Sequence, residues 1–580
     1  MYVCTLRDTT ISTREAGEVP AGYNAMTTTA IERLKAARER GDLAALLGYR
    51  TSAFHYILYG LPENQRYRIF TVPKRSGDAR IIHEPTPALK ELQARLSKLL
   101  FRCAEDIQQS RPGFWAASHG FRKGRSIVTG ANIHSNRQSV FNVDIHDFFG
   151  TISYARVFGF FLKDSEFELA KPIANAIAQI ACYEDRLPQG SPCSPVISNY
   201  IGAILDNRLG WLARRNHCSY SRYADDLTFS TQRMNFPEAI AVKNDAGEWV
   251  AGIGLESEIE RSGFSLNPAK TRMQQKPARQ SVTGLVVNKH PNIQRSYYRH
   301  ARAMCASLFS TGEYSYPPGQ GGRQTNTLAQ LEGRLAHIDF VQSRAAKDGE
   351  EQPKGPRQLY RRFLYFKHFA NPERPMIITE RPSDIILLKC ALGHQAQHFR
   401  RLTRRTGQPP RLPIDFLKSP AKQKMGIASG SDGLAGFMAS YSNEIASFEF
   451  RPMLKPVILL IGGPNEDREE LYGTASEITG TDVSGDEAVS FIHLIDNLYL
   501  IRIPNLANDF EELLPPVWSE RHYVANDETL AEAKSRFVRR VVSPNQTEID
   551  FSGFAELLRG VDACIADYSE RVRQLAQGTG

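Results

Sequence analysis

Along this chain, apolar positions fall into short alternating or unbroken runs separated by longer stretches of helical spacing, the pattern of a mixed α/β protein. Residues 139–145 and 219–230 read as strands, with helical stretches between them. The stretch 68–85 reads as a hairpin whose turn is marked by Ser76-Gly77-Asp78. Thr27, Thr28 and Thr29 precede a helix expected over 30–40, and residues 1–25 read as an irregular N-terminal extension ahead of Met26. A second strand–helix series starts near Pro375 and includes an apolar strand at 456–461. Residues 312–326, rich in Gly, Pro, Tyr and Ser, read as a loop, and the polar, breaker-rich 345–356 as a linker. The strongest apolar run, 456–462, is too short to cross a bilayer, and no internal repeat is present.

Length and charge sharpen this layout. A chain of 580 residues exceeds what one hydrophobic core supports, so at least two domains are expected. With 41% apolar and 23% charged residues, a disordered or collagen-like chain is excluded. The eight cysteines form no CxxC pair, which argues against a zinc ribbon or a disulfide framework. That spacing, with no charged-then-apolar leader, leads to the expectation of a cytoplasmic protein with no membrane partner. The formal net charge of +9 hides an asymmetry: residues 375–580 carry 22 basic and 28 acidic side chains, residues 1–374 carry 50 and 35. A basic surplus is the footprint of a polyanion binder, and charge alone leaves a merely cationic surface as good an explanation.

The chemistry-bearing stretch is Ser221-Arg222-Tyr223-Ala224-Asp225-Asp226-Leu227-Thr228-Phe229-Ser230. Two adjacent aspartates among β-formers are costly unless a cation compensates them. A hairpin turn would lift both out of the core, and Asp144 ends a second apolar strand, Phe141-Asn142-Val143-Asp144. Three such carboxylates suit two Mg²⁺ ions that activate an attacking hydroxyl and stabilise a leaving pyrophosphate. A solvated turn is the alternative for an isolated Asp-Asp pair.

Taken in order, these motifs resemble those of reverse transcriptases. Tyr223-Ala224-Asp225-Asp226 is similar to the YxDD box, Asp144 to the first metal-binding aspartate, and Leu187-Pro188-Gln189-Gly190-Ser191-Pro192-Cys193-Ser194-Pro195 to the LPQGxxxSP box. The resemblance implies a right-hand polymerase with an α+β palm, fingers and a helical thumb. It assigns Asp144, Asp225 and Asp226 to the metals, and Gln189 and Gly190 to the templating pair and incoming nucleotide. Lys74 and Arg80 are assigned to the triphosphate. It also makes Phe149 a gate favouring dNTPs over NTPs, with a plain core aromatic as the alternative. Asn267-Pro268-Ala269-Lys270 resembles a later palm motif whose lysine protonates pyrophosphate, and a surface lysine is nearly as good a reading of Lys270.

Further features resemble the bacterial retron branch. His119-Gly120-Phe121-Arg122, Ala131-Asn132-Ile133-His134 and Val282-Thr283-Gly284 are similar to its HGF, NAxxH and VTG regions, with Gly130 where Asn is common. The resemblance makes His134, Val282, Thr283 and Gly284 RNA-binding candidates, joined by Arg295 and Arg299 on an expected thumb helix near His300 and Arg302. For those arginines an ordinary solvated helix face is the alternative. Retron enzymes copy their own structured non-coding RNA (msr-msd) from an internal 2′-OH into msDNA and act in anti-phage defence. Abortive-infection or group II intron-like reverse transcriptases are the second reading.

The stretch Met376-Ile377-Ile378-Thr379-Glu380-Arg381-Pro382-Ser383-Asp384 resembles the EGxxD opening of Toprim domains, with Arg381 in place of Gly. Gly462-Gly463-Pro464 stands where that family carries its DxD pair. Residues 541–554 resemble the end of retron proteins with a fused Toprim domain. Glu380 and Asp384 are then remnants of a damaged metal site, and the domain is expected to act in assembly or sensing, with a homo-oligomer through it as one expectation. The expected layout is an extension over 1–25, fingers and palm over 26–290 and thumb over 291–345. A linker over 346–374 then leads to a Toprim-like Rossmannoid α/β domain over 375–580.

Overall fold

The computed structural model describes residues 28–60, 62–73, 79–316, 327–345, 354–403, 412–484, 491–503, 509–519 and 529–578. The expected extension over 1–25, Lys74, the turn at Ser76-Gly77-Asp78 and most of the loop over 312–326 lie outside them. The chain divides into two compact units, Met1–Pro291 and Asn292–Gly580.

The first unit opens with the helix Ala30–Ala36, started by a capping box between Thr29 and Glu32. Strands β1 (Tyr67–Pro73) and β2 (Ala79–Pro85) form an antiparallel hairpin that pairs Tyr67 with Pro85 and Pro73 with Ala79. The helix Pro87–Ser110 follows, with proline in its first turn where no amide donor is needed. It buries Leu92, Leu96, Leu100, Cys103 and Ile107 at helical spacing.

The central sheet is built from β3 (Ser139–Asp144), β4 (Ser219–Tyr223), β5 (Asp226–Thr231) and β8 (Arg272–Gln275), in the order β4-β5-β3-β8, every pairing antiparallel. Two small hairpins, β6 (Ala241–Lys243) with β7 (Trp249–Ala251) and β9 (Ser281–Val282) with β10 (Leu285–Val286), flank it. All six residues of β3 are buried, and the polar Asn142 in its middle finds partners: it accepts from Thr228 Oγ1 (3.1 Å) and donates to the Ser281 carbonyl (3.3 Å). The helix Ser194–Arg215 is buried over most of its length. Its Tyr200 stacks edge-on with Phe161 and Phe167 and donates to the Leu100 carbonyl (2.7 Å), tying three helices together.

In the second unit the helices Arg295–Thr311, Leu328–Ala345 and Lys354–Tyr365 precede a five-stranded sheet. Its strands are β11 (Met376–Thr379), β12 (Asp415–Phe416), β13 (Val457–Ile461), β14 (Ile492–Ile495) and β15 (Leu498–Arg502), ordered β12-β11-β13-β15-β14. Only β14 runs antiparallel to its neighbour. β13 is apolar throughout because both its faces are covered. Ile458 and Leu460 face one core with Leu387, Leu388, Leu557 and Leu558.

One expectation about organisation is corrected. The linker over 346–374 is helical over Lys354–Tyr365 and Phe366–Ala370, with Phe363, Phe366 and Phe369 fully buried. Its Gly355 and Pro356 sit in the first turn, where a breaker is tolerated. The division between the two units lies at Pro291/Asn292, and the helices expected as a thumb cluster with the C-terminal residues.

Candidate active site

The β4–β5 hairpin closes at Tyr223 opposite Asp226, leaving Ala224 and Asp225 as a two-residue turn. Such turns need a left-handed residue, a place that favours glycine, and Ala224 takes it with φ 56°. Across the sheet Asp144 stands directly opposite Asp226, and the Ile145 N–H donates to the Asp225 carbonyl (3.0 Å). Strand register therefore brings together three carboxylates that lie 81 and 82 positions apart in the chain.

Lys270 Nζ donates to Asp144 Oδ2 (2.8 Å), and the Asn267 N–H donates to the Asp144 carbonyl (2.8 Å), so the 267–270 motif is anchored on the same strand end. Burial, with the charges of Asp225 and Asp144, pushes the Asp226 carboxyl up to about 6. Burial and Asp144 likewise raise Asp225, while Lys270 and Arg80 pull it down. For Lys270, burial works against the charged form, and the bond to Asp144 outweighs it and raises the ammonium.

The arrangement fits a hard cation: Asp144 is buried, Asp225 half-buried and Asp226 exposed, their charges repel one another, and among the described residues Lys270 is the ammonium bonded to them. Among the described residues no group of three or more His, Cys, Asp or Glu side chains is placed to hold a metal ion as it stands. The Lys270 ammonium instead occupies one oxygen of Asp144.

The other predicted site residues are distributed around this centre. Arg80, exposed on β2, is near enough for its charge to lower Asp225. The Gln189 carbonyl accepts from the His83 N–H of β2 (2.8 Å). Gly190 has φ 128°, and a Cβ there would stand 2.6 Å from the His83 carbonyl oxygen, so only glycine lets this loop lie against the hairpin. Phe149 is half-buried, its ring beside Phe148 (5.5 Å) and Phe121 (6.3 Å).

Two RNA-contact expectations are corrected by burial. His134 is fully buried and bridges two strands, with Nδ1 2.7 Å from Ser230 Oγ and Nε2 2.8 Å from Ser221 Oγ. Val282 is 1% exposed. It opens a turn in which Thr283 (φ 46°) and Gly284 (φ 84°) are both left-handed, the geometry of a tight hairpin, and these two alone reach the surface. Arg295, Arg299 and Arg302 are exposed at helical spacing on Arg295–Thr311.

Burial, then the charges of Arg137 and His119, push His134 down to about 3. Between that value and the ordinary 6.5 the unfolded chain binds a proton that the folded chain refuses. Stability is therefore complete above pH 6.5 and falls with acidification, by about 2 kcal/mol at pH 5 for this group. Urea midpoints at pH 7 and 5 should separate less in His134→Gln than in wild type, and equal separation would show that the ring titrates freely.

In the second unit, Glu380 and Asp384 are already neutralised. Arg468 forms a two-pronged bond to Glu380 (2.7 and 2.8 Å). Arg381 reaches Asp384 (3.2 Å), Asp509 (3.2 Å) and Glu511 (2.7 Å), while Lys534 pairs with Asp509 and Lys422 donates to the Thr379 carbonyl. Burial lifts Asp384 to about 7 against the pull of Arg381, and lowers Lys422 to about 8. This donor set does not fit a divalent metal, because its carboxylates are filled by side-chain cations.

Sequence reasoning missed Arg222 and Asp206, which meet as a buried pair behind the Ala224–Asp225 turn. The available signal was an arginine inside a strand, two positions before the turn.

An antiparallel sheet presenting an aspartate at one strand end and an Asp-Asp turn beside it defines the polymerase palm class. Residues 72–287 match the family model described as reverse transcriptase (RNA-dependent DNA polymerase). The chain is 34% identical over 287 residues to the retron Mx65 reverse transcriptase of Myxococcus xanthus, covering 46% of this chain and 62% of that protein. It is 31% identical over 322 residues to the retron Mx162 enzyme of the same organism, covering 52% and 63%. With the retron Ec86 reverse transcriptase of Escherichia coli it shares 33% identity over 247 residues, covering 42% of this chain and 70% of that one. The matches thus span less than two thirds of the two Myxococcus proteins. The chain belongs to the retron reverse transcriptase family.

Proposed function

We propose that the first unit is an RNA-directed DNA polymerase that copies a structured non-coding RNA of its own retron into msDNA, starting from a 2′-OH. The observation that carries this reading is the meeting of Asp144, Asp225 and Asp226 at one sheet edge, with Lys270 bound to the first of them. These aspartates would hold two Mg²⁺ ions, which supply activation of the attacking hydroxyl and stabilisation of charge on the departing pyrophosphate. Lys270, an ammonium beside the acids, stands as the proton donor to pyrophosphate. Arg80 and Lys74 grip the triphosphate of an incoming dNTP, and an Arg fork suits its oxygens. Gln189 and Gly190, stitched to β2, set the floor under the templating pair. Phe149, wedged beside Phe148, is too confined to swing away from an extra 2′-OH. Thr283 and Gly284 at their hairpin tip, and Arg295 and Arg299 on their helix, are surface contacts for RNA backbone.

The second unit reads as a Toprim-like module for assembly or sensing in anti-phage defence, acting in the cytoplasm and open to self-association. Its mainly parallel sheet supports this reading, and its self-neutralised acids argue against metal-dependent cleavage. Among the described residues no helix is long and apolar enough to cross a membrane. Sequencing the nucleic acid that co-purifies with the full chain tests the proposal. DNA joined 2′–5′ to an RNA guanosine is expected, and linear or protein-linked DNA would move the chain to another branch of reverse transcriptases.

A further inference from the structure

Among the described residues, the largest fully buried side chain is an arginine, Arg222, two positions before the turn that carries Asp225. Its guanidinium forms a two-pronged pair with Asp206 on the helix Ser194–Arg215: Nε to Oδ1 at 2.8 Å and Nη2 to Oδ2 at 2.7 Å. Asp206 also accepts from the Tyr220 hydroxyl (2.8 Å). The remaining nitrogen, Nη1, donates to the carbonyl of Ala224 (3.2 Å) and to Asn199 Oδ1 (3.3 Å). One planar group thus joins a core helix to the left-handed residue of the catalytic turn.

The surroundings are shaped to this contact. A Cβ at Gly202 would lie 2.8 Å from Arg222 Nη2, so a glycine on the helix makes room for the guanidinium. A Cβ at Gly120 would lie 2.8 Å from the Ala224 nitrogen, which lets the 118–120 segment close over the turn. That segment is bonded in register: Arg222 N–H donates to the Ala117 carbonyl (2.8 Å), and His119 N–H to the Arg222 carbonyl (2.8 Å). Asn199 completes the frame by donating to the Gly120 carbonyl (3.0 Å) and accepting from Ser118 Oγ (2.9 Å).

Energetics say what such a pair is for. Replacing a buried ion pair by apolar groups of similar volume is often neutral or stabilising, so the pair is weak as a source of stability. A non-glycine residue at positive φ carries strain of roughly 1–3 kcal/mol and persists only where its surroundings over-determine it. Here the over-determining contact is the Arg222 bond to the strained residue's own carbonyl.

We propose that Arg222, held by Asp206, is a positioning residue that fixes the Ala224–Asp225 peptide and so aims the Asp225 and Asp226 carboxylates at their cations. This role rests on the polymerase reading of the site. It acts through the turn: Arg222 touches neither substrate nor metal.

The test uses the full chain, an RNA template with a DNA primer, and a Mg²⁺ titration. Arg222→Lys keeps the charge but cannot bond Asp206 at two points and Ala224 at a third. The pair Asp206→Leu with Arg222→Met removes both charges at similar volume. For both variants kcat should fall by about tenfold or more, since displacements near 1 Å cost up to about a hundredfold. The Mg²⁺ concentration for half-maximal rate should rise, with KM for dNTP little changed and the double variant melting at or above wild type. A folded double variant with wild-type kcat and Mg²⁺ dependence overturns the proposal. If the double variant does not fold, Arg222→Lys decides by the same readouts, and activity lost only in proportion to unfolding overturns it too. Wild-type protein that makes no DNA overturns the polymerase reading itself, before any variant is compared.

Discussion

Changing Asp225 and Asp226 together to asparagine should reduce DNA synthesis by at least about a thousandfold, because roughly 4 kcal/mol of transition-state charge stabilisation is lost with the anionic oxygens. The fold should survive, and there is reason to expect it to gain. Burial and the neighbouring acids hold Asp226 up near 6 and also raise Asp225, so at neutral pH the ionised cluster works against itself. Asparagine keeps the shape and removes that repulsion. The bond from Lys270 to Asp144 is left in place, as is the ladder that pairs Asp144 with position 226. Primer extension should therefore collapse while the melting temperature holds or rises, and RNA binding, measured by fluorescence anisotropy, stays near wild type. Synthesis surviving within about tenfold of wild type would remove these carboxylates from the chemistry.

The second large effect belongs to stability. Glu380 and Arg468 are both nearly buried, and the arginine's fork satisfies both carboxylate oxygens. Arg468→Ala leaves an uncompensated buried charge, which costs about 3–5 kcal/mol. Guanidinium unfolding followed by a probe in the second unit should show a loss of that size, and Glu380→Gln in the same chain should recover part of it. Added Mg²⁺ should not substitute for the missing guanidinium, since the neighbouring acids are already held by Arg381 and Lys534. A loss below about 1 kcal/mol would show the pair to be solvated, as surface pairs are.

Local signals carried much of this in the sequence. The strands ending at Asp144 and starting at Asp226 carry apolar residues at strand spacing, and the Asp-Asp pair sits where the two-residue turn meets the second strand. The glycine of the 187–195 motif has the φ that only glycine takes freely. What stayed hidden depends on partners distant in the chain. His134 and Val282 belong to recognisable motifs, yet a motif does not state which way a side chain faces, and both face inward. Lys270 finds Asp144 across 126 positions, and Arg222 finds Asp206 only because Gly202 clears the way. The segment 354–370 was masked by its own composition. Gly355, Pro356 and four arginines and lysines up to Arg362 average out as polar, although Phe363, Phe366 and Phe369 are fully buried.

The order of strands in the second sheet also sets a timetable for biosynthesis. β11 lies inside the sheet, but its neighbours are β12, two residues long, and β13, which begins about 80 residues later. At roughly 5–20 residues per second, the apolar stretch Met376–Thr379 leaves the ribosome several seconds before β13 arrives to pair with it. Over that interval the nascent chain presents an unpaired hydrophobic edge, the kind of surface that chaperones bind and that favours aggregation when expression is fast.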